Sequence, residues 1–258
     1  MKIRAVLFDL WGTLISEGSA PKMRRRTDSR VDHAITALTV QGIDCERDAV
    51  AQAFTAAGEE LSRIHADGLD VSAEARTILY LRHVDPTIAD RLDDDGWRAM
   101  HSAILGAALE VRPELISGAS AALAATKAHG LPTALVSNAG ATPGFVLREI
   151  LKDYDVLQYL DHTIFSDEVE LSKPSPGIFE RALEALDVAP TDAVFVGDQP
   201  ILDVLGPRNA GLWSIQVGDL YESGIEPHVR MASIGGLPAA LAKLDLEITA
   251  SATTGGIA

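Results

Sequence analysis

Five short apolar runs constrain this 258-residue chain more than any other feature: "IRAVLFDL" (3–10), "PTALVSN" (132–138), "HTIFS" (162–166), "DAVFVGD" (192–198) and "LWSIQVG" (212–218). Each is nearly continuous in Val, Leu, Ile, Phe and Ala rather than alternating with polar residues, so each strand is expected to be covered on both faces. Helix-like segments lie between them, at 118–130, 142–154, 175–188 and 201–211. Strand and helix in alternation mean an α/β fold, with a Rossmann-like sheet of parallel strands joined by crossover helices. "MASIGG" and "LPAALAKL" then read as an edge strand and a closing helix.

The first run and the second lie much further apart than one crossover needs, which predicts an inserted domain. Residues 16–111 read as helices only, over 29–42, 45–66, 72–84 and 94–110. Asp28 or Ser29, Asp44 and Ser72 are the expected N-caps, and Gly42 and Gly68 the expected stops. Apolar residues at three- and four-residue spacing give each helix one face to bury, as in a small bundle. The α/β core is therefore expected at 1–15 and 112–248, the all-helical domain at 16–111, and a flexible tail at 249–258.

Charge narrows the partners. Lys and Arg number 22 against 37 Asp and Glu, a formal net charge of −15, and such a field repels nucleic acid and anionic membrane surfaces. The one basic cluster, Lys22 with Arg24, Arg25 and Arg26, reads either as a solvated loop or as an element contacting an anionic substrate. Cys45 is the sole cysteine, which fits a reducing compartment, and no apolar run approaches the ~20 residues that span a bilayer. A cytoplasmic protein with a small anionic substrate is expected, without nucleic-acid or membrane partners; a homodimer is left open. The histidines His33, His65, His83 and His101 match no metal-ligand spacing and read as scattered surface side chains.

In an open parallel sheet, ligands bind just beyond the carboxyl ends of the strands. Four polar groups stand at those ends in order: Asp9, then Ser137 with Asn138, then Lys173 in "ELSKPSPGIF", then Asp198 in "VGDQPILD". Each suits phosphoryl chemistry. Asp9, followed by the Gly12 and Thr13 turn, could attack phosphorus as a carboxylate nucleophile. Lys173 could keep that carboxylate ionised and neutralise phosphoryl oxygens. Ser137 could donate to those oxygens beside Asn138. Asp198 and Asp203 offer hard oxygen ligands to Mg²⁺. Asn138 and Gly12, with Arg24 and Arg26 of the basic cluster, are the candidate substrate contacts, and Thr13 joins Asp9, Ser137 and Lys173 as a candidate catalytic residue.

"FDLWGTL", "VSN", "SKPSPGIF" and "VGDQPILD" resemble the four ordered motifs of the haloacid dehalogenase superfamily, over about residues 1–15 and 112–245. The resemblance implies a Rossmann-like core with a mobile helical cap after the first motif. It also implies Asp9 as nucleophile, Ser137 and Lys173 as stabilisers, Asp198 as Mg²⁺ ligand, and the backbone carbonyl of Trp11 as a further ligand.

Trp11 departs from the pattern. In phosphatases of that family an aspartate two residues past the nucleophile protonates the leaving alcohol and then activates water. An indole N–H does neither near neutral pH, and general acid–base help is typically worth ~10²- to 10⁴-fold. Three readings follow: a Mg²⁺-dependent phosphatase-type hydrolase, a 2-haloacid dehalogenase, or a non-catalytic protein that binds a ligand or partner. The retained acidic motif at Asp198 and Asp203 favours the first.

Overall fold

The computed structural model describes residues 2–219 and 224–254. In chain order the strands are β1 (Ala5–Phe8), β2 (Ile15–Ser16), β3 (Glu114–Leu115), β4 (Thr133–Ser137), β5 (His162–Phe165), β6 (Ala193–Gly197), β7 (Trp213–Val217) and β8 (Val229–Met231). The α-helices are α1 (Ala20–Val40), α2 (Arg47–Ala66), α3 (Ala73–Val84), α4 (Ile88–Arg91), α5 (Asp94–Leu105), α6 (Ala107–Glu110), α7 (Ala119–Ala128), α8 (Gly144–Asp153), α9 (Ser166–Val169), α10 (Pro176–Leu186), α11 (Gly206–Asn209) and α12 (Leu237–Thr254). Six strands form one parallel sheet in the order β5-β4-β1-β6-β7-β8, as the apolar runs predict.

Side chains of a strand alternate between faces, and in β1, β4 and β6 both faces are buried. The edge strands β5 and β8, each with a neighbour on one side only, leave His162 and Arg230 exposed. Val6 and Phe8 of β1 join one core cluster with Leu135, Val194 and Val196. Ala5 and Leu7 join the other with Ala134, Val136 and Phe195. β1 lies between β4 and β6, with Phe8 in register with Leu135 and Val196, so Asp9 leaves the sheet near its centre.

Between the two strands of an antiparallel ribbon, β2 and β3, the chain leaves and re-enters the core; Ile15 pairs with Leu115 and Ser16 with Glu114. All the helices from α1 to α6 lie within that excursion. They have their own apolar cluster, with Val31, Leu38, Phe54, Tyr80, Leu81, Met100 and Ile104 buried together. Ser72 caps α3 by accepting from Ala75 N–H, and Gly42 and Gly68 follow α1 and α2 with φ of +70° and +76°.

Several boundaries differ from the expectation. Helix α1 begins at Ala20 rather than 29, with a proline in its first turn, where a fixed φ costs nothing and no N–H is needed. Asp28 and Ser29 therefore lie inside it, and the basic cluster is its first turns rather than a loop. Helix α2 starts after Glu46, not Asp44. The stretch 94–110 breaks at Gly106 into α5 and α6. Residues Pro200–Leu205 form a π-helical turn ahead of α11. Helix α12 runs to Thr254 into the stretch expected to be a tail, extending a helix whose earlier turns pack on the core; residues 255–258 lie outside the described residues. His65, His83 and His101 are half-buried and in contact with Asp70, Glu60 and Thr77, and only His33 among the four is exposed.

Candidate active site

The sheet delivers Asp9 by its last ladder bond, Asp9 N–H to the Val196 carbonyl at 2.9 Å. The chain then wraps tightly, with Leu14 and Ile15 N–H both donating to the Leu10 carbonyl and Gly12 N–H to that of Ile15. Gly12 is required there: its φ is +84°, and a Cβ would stand 2.4 Å from Asp198 Oδ2. Thr13 is fully buried, with its hydroxyl unpartnered among the described residues.

Lys173 reaches between two carboxylates, its Nζ donating to Asp9 Oδ1 at 2.6 Å and to Asp203 Oδ1 at 2.7 Å. All three groups are buried, as is Asp198. Asp203 accepts at Oδ2 from Gln199 N–H, so both of its oxygens are engaged. Asp9 Oδ2 and Asp198 Oδ1 have no hydrogen-bond partner among the described residues. Ligand oxygens of Asp9, Asp198 and Asp203 lie within 4.8 Å of one another. Three carboxylates against one ammonium, two of them with orphaned buried oxygens, is a donor set that fits a hard divalent cation.

Electrostatics agree with that charge excess. Burial, reinforced by Asp203, pushes Asp9 up to about 6 even though Lys173 pulls it down. Asp198 rises to about 7, through burial and then the charges of Asp9 and Asp203. Lys173 is raised: burial opposes its charge, but Asp203 and Asp9 outweigh it. Both carboxyls titrate above the usual 3.8, so the folded metal-free protein holds protons that the unfolded chain has released. Stability from them is present below about pH 4 and is lost as pH rises through about 6 to 7. Metal-free protein is thus expected to lose melting temperature between about pH 5 and pH 7.5 more steeply than its Asp198→Asn variant. Added Mg²⁺ should restore it at the higher pH by mass action. Equal slopes for the two proteins in a thermal-shift titration would contradict this account.

The remaining expected residues divide. Ser137 ends β4, fully buried, with its hydroxyl 3.2 Å from the Asn138 carbonyl. Asn138 was expected to touch substrate, but its amide is engaged with the Lys173 backbone: Oδ1 accepts from Lys173 N–H at 2.8 Å and Nδ2 donates to the Lys173 carbonyl at 3.1 Å. It clamps the loop that carries the lysine. Trp11 is half-buried and lines a cavity of about 260 Å³ with Arg26, Arg30 and residues 138–142. Arg24 is exposed and does not line it, while buried Arg26 is neutralised by Glu17 and donates to the Val111 carbonyl at 2.7 Å. Arg30, buried, donates through Nε to the Ile104 carbonyl at 2.7 Å, and no carboxylate of the described residues lies within 4.0 Å of it. Gln216 of β7, donating to the Asp198 carbonyl at 3.1 Å, was not anticipated; a polar residue facing inward from an apolar strand was its only signal.

A parallel sheet carrying a buried lysine and three aspartates beyond its strand ends defines a class of α/β proteins that work at that edge. The family model for haloacid dehalogenase-like hydrolase matches residues 3–211, and the chain belongs to that family of hydrolases. Phosphoglycolate phosphatase of Escherichia coli O157:H7 is 28% identical over 248 residues, covering 93% of this chain and 92% of the relative. Glyceraldehyde 3-phosphate phosphatase of Pyrococcus furiosus is 26% identical, covering 83% and 80%. Phosphoserine phosphatase of Thermus thermophilus is 36% identical over 122 residues, and that match spans 46% of its length. The fold is shared with a 2-haloacid dehalogenase of Pseudomonas syringae (TM-score 0.67, 19% identity, 93% of this chain and 99% of that one). It is also shared with a HAD phosphatase of Thermococcus onnurineus (TM-score 0.63, 22% identity, 93% and 98%). No helix among the described residues is long and apolar enough to cross a membrane.

Proposed function

We propose that the protein is a Mg²⁺-dependent phosphatase-type hydrolase of a small anionic phosphorylated metabolite, working through an aspartyl intermediate on Asp9. The observation that carries this reading is the asymmetry of Asp9: Oδ1 is held by Lys173 at 2.6 Å, while Oδ2 is left without a partner. An oriented carboxylate with one free oxygen is a nucleophile. Attack by Oδ2 on phosphorus forms the acyl phosphate and breaks the bond to the leaving oxygen; water then cleaves the acyl phosphate and regenerates Asp9. Asp9, Asp198 and the Trp11 carbonyl would hold Mg²⁺; Asp203, grouped with them on sequence, would instead support Lys173, since both of its oxygens are engaged. The cation supplies charge neutralisation for the phosphoryl oxygens. Ser137 and Lys173 would donate to those oxygens. Residues 16–111 would act as the cap.

Phosphatase names among the relatives support the substrate class. Arg30, a buried guanidinium at the Trp11 cavity with no carboxylate partner among the described residues, supports an anionic substituent on the substrate. Trp11 supplies no proton, so substrates with acidic leaving groups should react best. Trp11→Asp is expected to raise turnover of an alkyl phosphate about a hundredfold, the lower end of what a resident acid–base contributes, and to change p-nitrophenyl phosphate much less. An equal effect on both esters would refute that role.

Trp11 also favours a second reading, 2-haloacid dehalogenation, in which Asp9 displaces halide from carbon and no leaving-group acid is needed. Against it, the free oxygen of buried Asp198 would repel a carboxylate substrate at short range. A screen of phosphate esters and 2-haloacids with and without Mg²⁺ tests both. Phosphate release that EDTA suppresses is expected; halide release that survives EDTA would reverse the ranking.

A further inference from the structure

The helical insertion meets the core at a second place besides the β2–β3 ribbon, directly beside the lysine. Residues 68–70, after α2, run antiparallel to residues 170–172. Ser172 N–H donates to the Gly68 carbonyl at 3.0 Å and Asp70 N–H to the Glu170 carbonyl at 3.2 Å, with Leu69 bridging Leu171. Ser172 Oγ also donates to the His65 carbonyl at 3.0 Å. Glu170 is held at φ +56°, a left-handed conformation that a residue with a Cβ adopts under constraint.

Asp70 is the hub of this strap. Its carboxylate is buried and accepts from Arg76 Nη2 at 2.8 and 2.9 Å, and His65 Nε2 lies 3.0 Å away. Arg76 is wholly buried, and its Nε and Nη1 find no partner among the described residues, so Asp70 is its counter-charge. Although burial opposes ionisation, His65, Arg76 and Ser166 hold Asp70 down to about 2. The remaining contact crosses to the core: Ser166 Oγ donates to Asp70 Oδ2 at 2.5 Å and accepts from Ala139 N–H at 2.8 Å. One arm of the hub therefore ends at Lys173 and the other at the turn after Ser137 and Asn138.

We propose that Asp70 is a positioning residue that couples docking of the helical insertion to the alignment of Lys173 and the 137–139 turn. The inference deepens the hydrolase reading and rests on it for the roles of Lys173 and Ser137. The insertion and the site then align as one unit, rather than the insertion swinging freely on its ribbon.

The test uses the full chain with p-nitrophenyl phosphate and Mg²⁺, comparing wild type, Asp70→Asn, Ser166→Ala and the double variant. Asp70→Asn is expected to lower kcat about ten- to a hundredfold, as loss of an orienting partner does, with KM within about twofold. Ser166→Ala should lower kcat in the same sense, and the double variant should be no worse than Asp70→Asn, because both cut one chain of contacts. Unchanged kcat in the folded variants, a loss in KM alone, or additive losses would each overturn the proposal. Hydrogen exchange provides an arm independent of turnover: amides of 137–139 and 170–173 should quicken together when Asp70 or Ser166 is replaced. Loosening confined to 68–72 would overturn it too. Should Asp70→Asn not fold, Ser166→Ala decides by both measurements. A wild type without turnover defeats the hydrolase reading, while the exchange arm still decides the coupling.

Discussion

Asp9→Asn is expected to abolish turnover of p-nitrophenyl phosphate and acetyl phosphate, by about 10⁴-fold or more, as loss of a covalent nucleophile does. The amide has nearly the same shape as the carboxylate and can still accept from Lys173, so packing around β1 is retained. Its oxygen lacks the electron density to attack phosphorus, and no second carboxylate ends β1. The substitution also removes one of three buried like charges, so the metal-free variant should melt no lower than wild type at neutral pH. A folded variant that keeps its rate would exclude Asp9 as the nucleophile.

Lys173→Met is expected to act on stability as well as rate. The methionine fills the stem of the lysine but removes the ammonium that touches Asp9 at 2.6 Å and Asp203 at 2.7 Å. Two buried carboxylates then face each other without their counter-charge, and breaking a buried pair in this way typically costs about 3–5 kcal/mol. The sign of its pH dependence follows from Asp9, which titrates at about 6 even with the lysine present and higher without it. At about pH 5 the variant can protonate a carboxyl and shed much of the repulsion; at about pH 8 it cannot without a larger penalty. Urea unfolding should therefore show a greater deficit relative to wild type at the higher pH. An equal deficit at both would mean that the lysine stabilises by packing alone.

Asp9, Ser137 and Asp198 were legible because each ends an apolar run at a place where a parallel sheet exposes its chemistry. Lys173 lies on the loop between α9 and α10, and its signal was the SKPSPGIF motif rather than an interrupted strand. For Asn138, that its amide is engaged by the Lys173 backbone depends on a contact between residues 35 apart, which no periodicity records. Asp70 and Ser166, 96 apart in the chain, left no sequence signal at all, since each is an ordinary turn or helix-start residue when viewed locally. The basic cluster forms the first turns of α1, and Pro21 is the start signal that its charges obscure. Arg26 and Arg30 are both buried, and only the fold tells them apart, giving Glu17 to the first and a backbone carbonyl to the second.

Ser16 and Glu114 are paired neighbours in the β2–β3 ribbon, so from the viewpoint of the sheet everything between them is one very long hairpin loop. Replacing residues 17–113 by a two-residue turn would leave every strand of the parallel sheet with its partners and its order. Loop length adds closure entropy only logarithmically, so the core bears little cost for so large an excursion. Such a miniaturised chain would lack the edge that residues 68–70 lend to 170–172, together with the Asp70 contact to Ser166 and the arginines at the Trp11 cavity. Among what the insertion contributes to the rest of the molecule is thus a borrowed strand beside Lys173, which a grafted replacement would have to return.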